Sequence, residues 1–114
     1  MAERRRQAEN ERHKGNDYFR AHDYTAAVEA FTVATLLDPQ SAAARANRAA
    51  AYLKLRMWSD AETDAGMALQ MEPANLKARL RRAQARSELG SMKLAREDAL
   101  VVLEKVCLLS LQGP

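Results

Sequence analysis

The chain is predicted to be all-α, an array of three stacked helix hairpins, on three observations. The first is self-similarity. Gly15, Tyr18, Ala27, Phe31, Ala34 and Pro39 are followed 34 residues on by Ala49, Tyr52, Ala61, Ala65, Ala68 and Pro73. A third copy continues through Ala83, Arg86, Ala95, Ala99 and Val102, with Cys107 where a third proline would fall. A fixed period of that length marks a unit that buries its apolar face by stacking on copies of itself. The second is composition: Ala, Leu, Arg and Glu dominate, four glycines and three prolines punctuate 114 residues, and aromatics are 5% of the chain. Such a mixture favours helix and leaves few breakers. The third is punctuation, because the prolines and turn residues fall between apolar stripes of helical period. The length fits one domain, residues 1–114, with repeats at about 8–41, 42–75 and 76–109 and residues 1–7 as a basic extension of the first helix. It is too short to hold a separate catalytic domain as well.

Helical periodicity runs from about Glu3 to Arg20 and breaks at His22 and Asp23. A second stripe, Ala27, Phe31, Ala34 and Leu37, ends at Asp38 and Pro39, since the residue before a proline is pushed out of the helical region. The second pair starts near Ser41 and runs to about Leu55. It restarts after Ser59, which with Glu62 three residues on forms a capping-box signature, and Pro73 closes it. The third pair opens with Asn75 as N-cap, runs to Leu89, stops at Gly90 in the C′ position and resumes near Ser91. Gly15, Ala49 and Ala83 are expected where the two helices of a hairpin come closest, faced by Ala27, Ala61 and Ala95. A larger side chain there would push the helices apart. Tyr24, Trp58 and Met92 recur at the hairpin bends, and Trp58 is read as an apolar plug rather than a ligand-stacking surface.

The order of small residue, aromatic, alanine, aromatic, alanine and proline resembles the tetratricopeptide repeat family. Repeat one matches from Gly15 to Pro39, repeat two has Ala65 in place of the second aromatic, and repeat three departs at Arg86 and Cys107. The resemblance covers about residues 8 to 108 and implies a right-handed superhelical solenoid whose concave wall is lined by the first helix of each pair. On that wall Arg12 and Asn16, four apart, share a face of the first helix, as Lys77 and Arg81 do on the fifth, and Asn47 lies on the helix between. Three cations and two amides with no carboxylate suit a doubly charged anion held by several donors.

These strings are similar to the carboxylate clamp of the co-chaperone type of tetratricopeptide domain, which carries Lys-x-x-x-Asn, then Asn, then Lys-x-x-x-Arg. All five positions agree in spacing. Arg12 stands where the family has lysine; it keeps the charge but presents a planar fork of donors instead of a compact ammonium. The resemblance implies a partner, the extreme C-terminus of heat shock protein 90 or heat shock protein 70, ending Glu-Glu-Val-Asp, with both carboxylates of the last aspartate in the clamp. Phe19, Ala50, Lys54 and Gln84 would line the groove beside it, although Phe19 fits the core between the first two helices equally well. Several charge-assisted hydrogen bonds at about 1.5–3 kcal/mol each, less the cost of ordering a peptide, correspond to roughly micromolar binding that weakens with salt.

No Gly-rich phosphate loop, nucleophile elbow or paired-carboxylate site occurs, so neither enzymatic activity nor a cofactor is expected. His13 and His22 lack partners at metal-ligand spacing, and no metal is expected. The single cysteine rules out an intramolecular disulfide and points to a reducing compartment; Cys107 itself, late in an apolar helix, is expected to be a buried thiol. With no secretory signal, and with Val106 to Leu111 far short of a span, a cytoplasmic protein without membrane contact is expected. The arginines at Arg4 to Arg6 and at Arg79, Arg81, Arg82 and Arg86 raise nucleic-acid binding as an alternative. A net charge of only +3 and scarce aromatics for base stacking stand against it. The last helix is apolar on more than one face after Ala99, and no polar capping helix follows before Pro114. The chain is therefore expected to be a fragment cut before its cap, the alternative being that another part of the parent protein, a folded partner or a second copy covers that surface.

Overall fold

The structure, a computed structural model, describes residues 2–111. They form six helices and, among the described residues, no strand: α1 (Ala2–Arg20), α2 (Tyr24–Leu37), α3 (Ala42–Lys54), α4 (Trp58–Met71), α5 (Leu76–Glu88) and α6 (Met92–Leu111). The residues after Leu111, on which the expectation of a missing cap partly rests, lie outside that range. α1 with α2, α3 with α4 and α5 with α6 pack as hairpins, while α1, α3 and α5 also touch side by side. The second helices touch first helices only, so α1, α3 and α5 form a continuous inner layer.

Each hairpin closes in the same way. The residue two past the end of the first helix has positive φ in all three: His22 (64°), Arg56 (60°) and Gly90 (85°), again on the 34-residue step. The amides of Asp23, Met57 and Ser91 then donate to the carbonyls of Tyr18 (2.9 Å), Tyr52 (2.9 Å) and Arg86 (2.8 Å), satisfying carbonyls that the helix end leaves free. Glycine takes this conformation without steric penalty, whereas His22 and Arg56 carry the cost of a Cβ in the left-handed region.

The starts of α2, α3 and α5 are capped by side chains. Asp23 accepts from the Ala26 amide (3.2 Å), Ser41 from Ala44 (3.1 Å) and Asn75 from Ala78 (2.9 Å). The Ser59 capping box does not form. α4 starts at Trp58 with Met57 as N-cap and no side-chain cap bond, which puts Ser59 inside the first turn. The closure at Arg56 and Met57 sets where the helix can begin, and it overrides the local signal.

The interior is built mainly from alanine, and among the described residues the one large side chain fully buried is Phe31, 1% exposed. Gly15 exists because of that ring: a Cβ on Gly15 would lie 2.5 Å from Phe31 Cε1 and 2.6 Å from its Cδ1. The neighbour that requires the glycine is thus Phe31 rather than Ala27. One repeat on, the same two positions hold Ala49 and Ala65, both buried, so volume is exchanged between the helices while the packing is kept.

Two carboxylates hold the layers together. Asp64 on α4 receives both Arg48 Nε (2.6 Å) and Nη2 (2.7 Å) from α3, and Arg48 Nη1 also donates to Thr32 (3.1 Å) on α2. Asp98 on α6 receives Arg82 (2.7 and 2.8 Å), Arg86 (2.8 Å) and Arg79 (3.4 Å) from α5. Arg86 in addition donates to Glu62 on α4 (3.0 Å), which accounts for an arginine where the first two repeats have tyrosine. Burial works to raise the Asp98 pKa, but the hydrogen bond from Arg82 and the charges of Arg82, Arg86 and Arg79 outweigh it and leave it below the ordinary value.

α6 packs against α5 alone and is longer than it, 20 residues against 13. Its later turns therefore have nothing outside them among the described residues. Leu100, Leu103, Val106, Leu108 and Leu109 are exposed, and so is Cys107, contrary to the expected buried thiol. No helix of the described residues is long and apolar enough to cross a membrane.

Candidate functional site

The inner faces of α1, α3 and α5 enclose a groove made of two adjoining cavities. The inner one, about 160 Å³, is lined by Asn16, Phe19, Phe31, Asn47, Ala50 and Arg81. The outer one, about 610 Å³, shares Phe19, Ala50 and Arg81 and is completed by Leu53, Lys54, Trp58, Gln84, Ser87 and Glu88. The repeat register explains the lining: Phe19, Leu53 and Ser87 are one repeat position, and Asn16, Ala50 and Gln84 are another.

Of the five residues that the resemblance and its spacing picked out, Asn16, Asn47 and Arg81 meet in the inner cavity. Asn47 Nδ2 donates to Asn16 Oδ1 across α1 and α3 (3.1 Å). That bond orients both amides and leaves the Asn16 NH₂ group and the second Asn47 N–H without a partner among the described residues. Arg81 projects from α5 to the same point and makes no ion pair among the described residues. Burial pushes its pKa below the ordinary arginine value, although a guanidinium keeps its charge at any physiological pH. Its neighbours differ in this respect, since Arg48, Arg79, Arg82 and Arg86 all lie on carboxylates. A partly dehydrated cation with no counter-charge among the described residues, beside two amides with unpaired N–H groups, has the donor chemistry that suits an anion.

Lys77 lies one turn before Arg81 on α5, exposed and without an ion pair among the described residues. It does not line either cavity. Arg12 is turned to its own helix, where Nη2 and Nε bond Glu9 (2.8 and 3.2 Å). The hydrogen bond to Glu9 raises the Arg12 pKa, with burial opposing, and Glu9 is lowered in return. Of the four groove neighbours, Phe19 and Ala50 line both cavities, and Lys54 and Gln84 line the outer one. Phe19 also packs on the cluster around Ala27 and Phe31, so it serves groove and core together.

Trp58 stands at its expected place and has a further role. It is the first residue of α4 at the hairpin bend, and it also forms part of the outer cavity wall. Leu53, Ser87 and Glu88 were not anticipated there, although Phe19 advanced by one and two repeats gives Leu53 and Ser87. The pairs Arg48–Asp64 and Arg82–Asp98 were legible in the same way, each residue recurring after 34 positions.

No protein-family model matches the chain. RNA polymerase II-associated protein 3 of Xenopus tropicalis is 37% identical over 94 residues, which is 82% of this chain and 14% of that protein. The second tetratricopeptide domain of Spaghetti (RPAP3), bound to the HSP90 peptide SRMEEVD, matches with a TM-score of 0.87 at 34% identity, covering 90% of this chain and 97% of that one. The second such domain of human RPAP3, in complex with the HSP70 peptide SGPTIEEVD, matches with a TM-score of 0.84 at 36% identity, covering 88% and 83%. A stack of helix hairpins with a donor-rich groove on its inner layer is a repeat-type binding module. The chain belongs to the tetratricopeptide repeat family. It spans about 14% of the length of the curated relative named above.

Proposed function

We propose that the chain is a peptide-binding adaptor module that holds the C-terminal Glu-Glu-Val-Asp tail of heat shock protein 90 or heat shock protein 70, as one part of a co-chaperone or assembly scaffold. The observation that carries this reading is the uncompensated Arg81 guanidinium beside Asn16 and Asn47. A terminal aspartate brings two carboxylates on adjacent atoms of one residue. Arg81 and the two amides receive one of them, and Lys77 and Arg12 stand one turn away on α5 and α1 to receive the other. Arg12 exchanges Glu9 for the ligand as it does so.

The module works by binding alone, without catalysis, in the cytoplasm. Its unit is the whole chain read as one domain of three repeats, at about 8–41, 42–75 and 76–109. The apolar face of α6 serves a second contact, with another part of the parent protein or a partner. Nucleic-acid binding is disfavoured, because Arg79, Arg82 and Arg86 are engaged in ion pairs with Asp98 and Glu62. The test is calorimetric titration with a peptide ending Met-Glu-Glu-Val-Asp, with its C-terminally amidated form, and with Lys77→Glu protein. The free acid is expected to bind at roughly micromolar Kd and the other two combinations at least tenfold more weakly. Equal affinity in all three would remove the reading.

A further inference from the structure

The outer cavity has a chemistry that an acidic tail alone does not use. Among the described residues Glu88 is the only acidic side chain on its wall, and Trp58 and Phe19 supply two aromatic surfaces. Glu88 is also the last residue of α5, where the helix dipole opposes a negative charge, and no cation pairs with it among the described residues. Its presence is thus unexplained by the fold, and a carboxylate on a groove meant for acidic residues is unfavourable unless something positive comes to it. Lys54, on the α3 side, is placed to meet the acidic residues instead.

We infer that the outer cavity selects a cationic side chain, arginine above all, located about five residues before the terminal aspartate of the ligand, with Glu88 as its counter-charge and Trp58 as its stacking face. The inference rests on the proposed orientation of the tail, with its last residue at Arg81. Glu88 lies seven residues beyond Arg81, about 10 Å along the helix. An extended peptide advances about 3.3 Å per residue, so its backbone passes Glu88 some three residues before its end. A long side chain from two residues further up reaches back to that level. A guanidinium fits such a place because it stacks on an indole and pairs with a carboxylate at the same time. Of the two peptides seen with the related domains, SRMEEVD has arginine at this position and SGPTIEEVD has threonine.

The experiment compares SRMEEVD with SAMEEVD, in which only that arginine is changed, on the unaltered protein and on Glu88→Gln. On the unaltered protein SRMEEVD is expected to bind about three- to fivefold more tightly, and the preference should shrink as salt is raised. In Glu88→Gln the preference should fall to about twofold or less, what stacking on Trp58 alone leaves. Equal affinity of both peptides for the unaltered protein overturns this inference and leaves the clamp reading standing. A preference undiminished in Glu88→Gln overturns the role of Glu88. Failure of both peptides to bind overturns the clamp reading and this inference together.

Discussion

Arg81→Met is expected to weaken ligand binding at least about a hundredfold while leaving the fold as stable as before, or slightly more so. Arg81 has no carboxylate partner, and burial already works against its charge, so removing the cation relieves a cost of desolvation. Methionine keeps an unbranched apolar stem to cover the same surface of α5. The expected change in unfolding free energy is therefore within about 0.5 kcal/mol of zero, or up to about 1 kcal/mol in favour of the variant. Binding behaves otherwise. A guanidinium that donates two charge-assisted hydrogen bonds to a carboxylate, at about 1.5–3 kcal/mol each, accounts for about 3–6 kcal/mol, which takes a micromolar complex to about 0.2 mM at the lower figure and beyond millimolar at the upper. Calorimetry with a free-acid peptide and urea unfolding of the same preparations measure the two quantities. A loss of more than about 2 kcal/mol of stability would show that Arg81 serves the fold. A fall in affinity of less than threefold would show that it lies outside the site.

Gly15→Ala is expected to destabilise by about 1–3 kcal/mol because its Cβ would stand 2.5 Å from the Phe31 ring; the cost should be smaller in a Phe31→Ala background, and a double-mutant cycle of unfolding free energies measures the difference. Arg56→Gly is expected to raise stability by about 0.5–1 kcal/mol, the steric gain at φ 60° less the entropy of a glycine in the unfolded chain, read as an upward shift in Tm. Asp98→Asn is expected to cost about 3 kcal/mol at neutral pH, since it leaves Arg79, Arg82 and Arg86 facing one another. The Asp98 pKa is lowered on folding, so its contribution is fully present above the unfolded value of about 3.9 and is lost as pH falls through the lower folded value. The stability gap between this variant and the unaltered protein should therefore narrow below about pH 4, and a gap that stays constant down to pH 2 would contradict the assignment.

What could be read from the amino-acid order was whatever repeats in it. Gly15, Ala49 and Ala83, the breaks at His22 and Gly90, and the cap at Asn75 all follow from one period and local helix chemistry, and the helices fall where those signals put them. Arg12, Asn16, Asn47, Lys77 and Arg81 came from resemblance to the carboxylate clamp, whose spacing they match, and three of them share a cavity. Ser59 misled because a capping box is a local signal, whereas the start of α4 is set by the closure at Arg56. Cys107 misled because apolar neighbours along a helix do not reveal whether another element packs outside it. The ion pair of Arg12 with Glu9 was within reach, being a three-residue spacing on one helix, but spacing does not say which of several carboxylates an arginine will choose. Trp58 shows a related limit: a bend residue and a wall residue are the same residue when the bend opens onto the groove.

The most direct test of the groove is the side-chain amide spectrum of ¹⁵N-labelled protein during titration with a peptide ending Met-Glu-Glu-Val-Asp. If Asn16 and Asn47 donate to the terminal aspartate, their NH₂ resonances shift together, saturate with the same Kd as the calorimetric signal, and stay in place when the amidated peptide is added, while that of Gln70, exposed on α4, does not move with either. Tight binding of the free acid with the Asn16 and Asn47 resonances unmoved would contradict the account, because the ligand would then be held elsewhere on the protein.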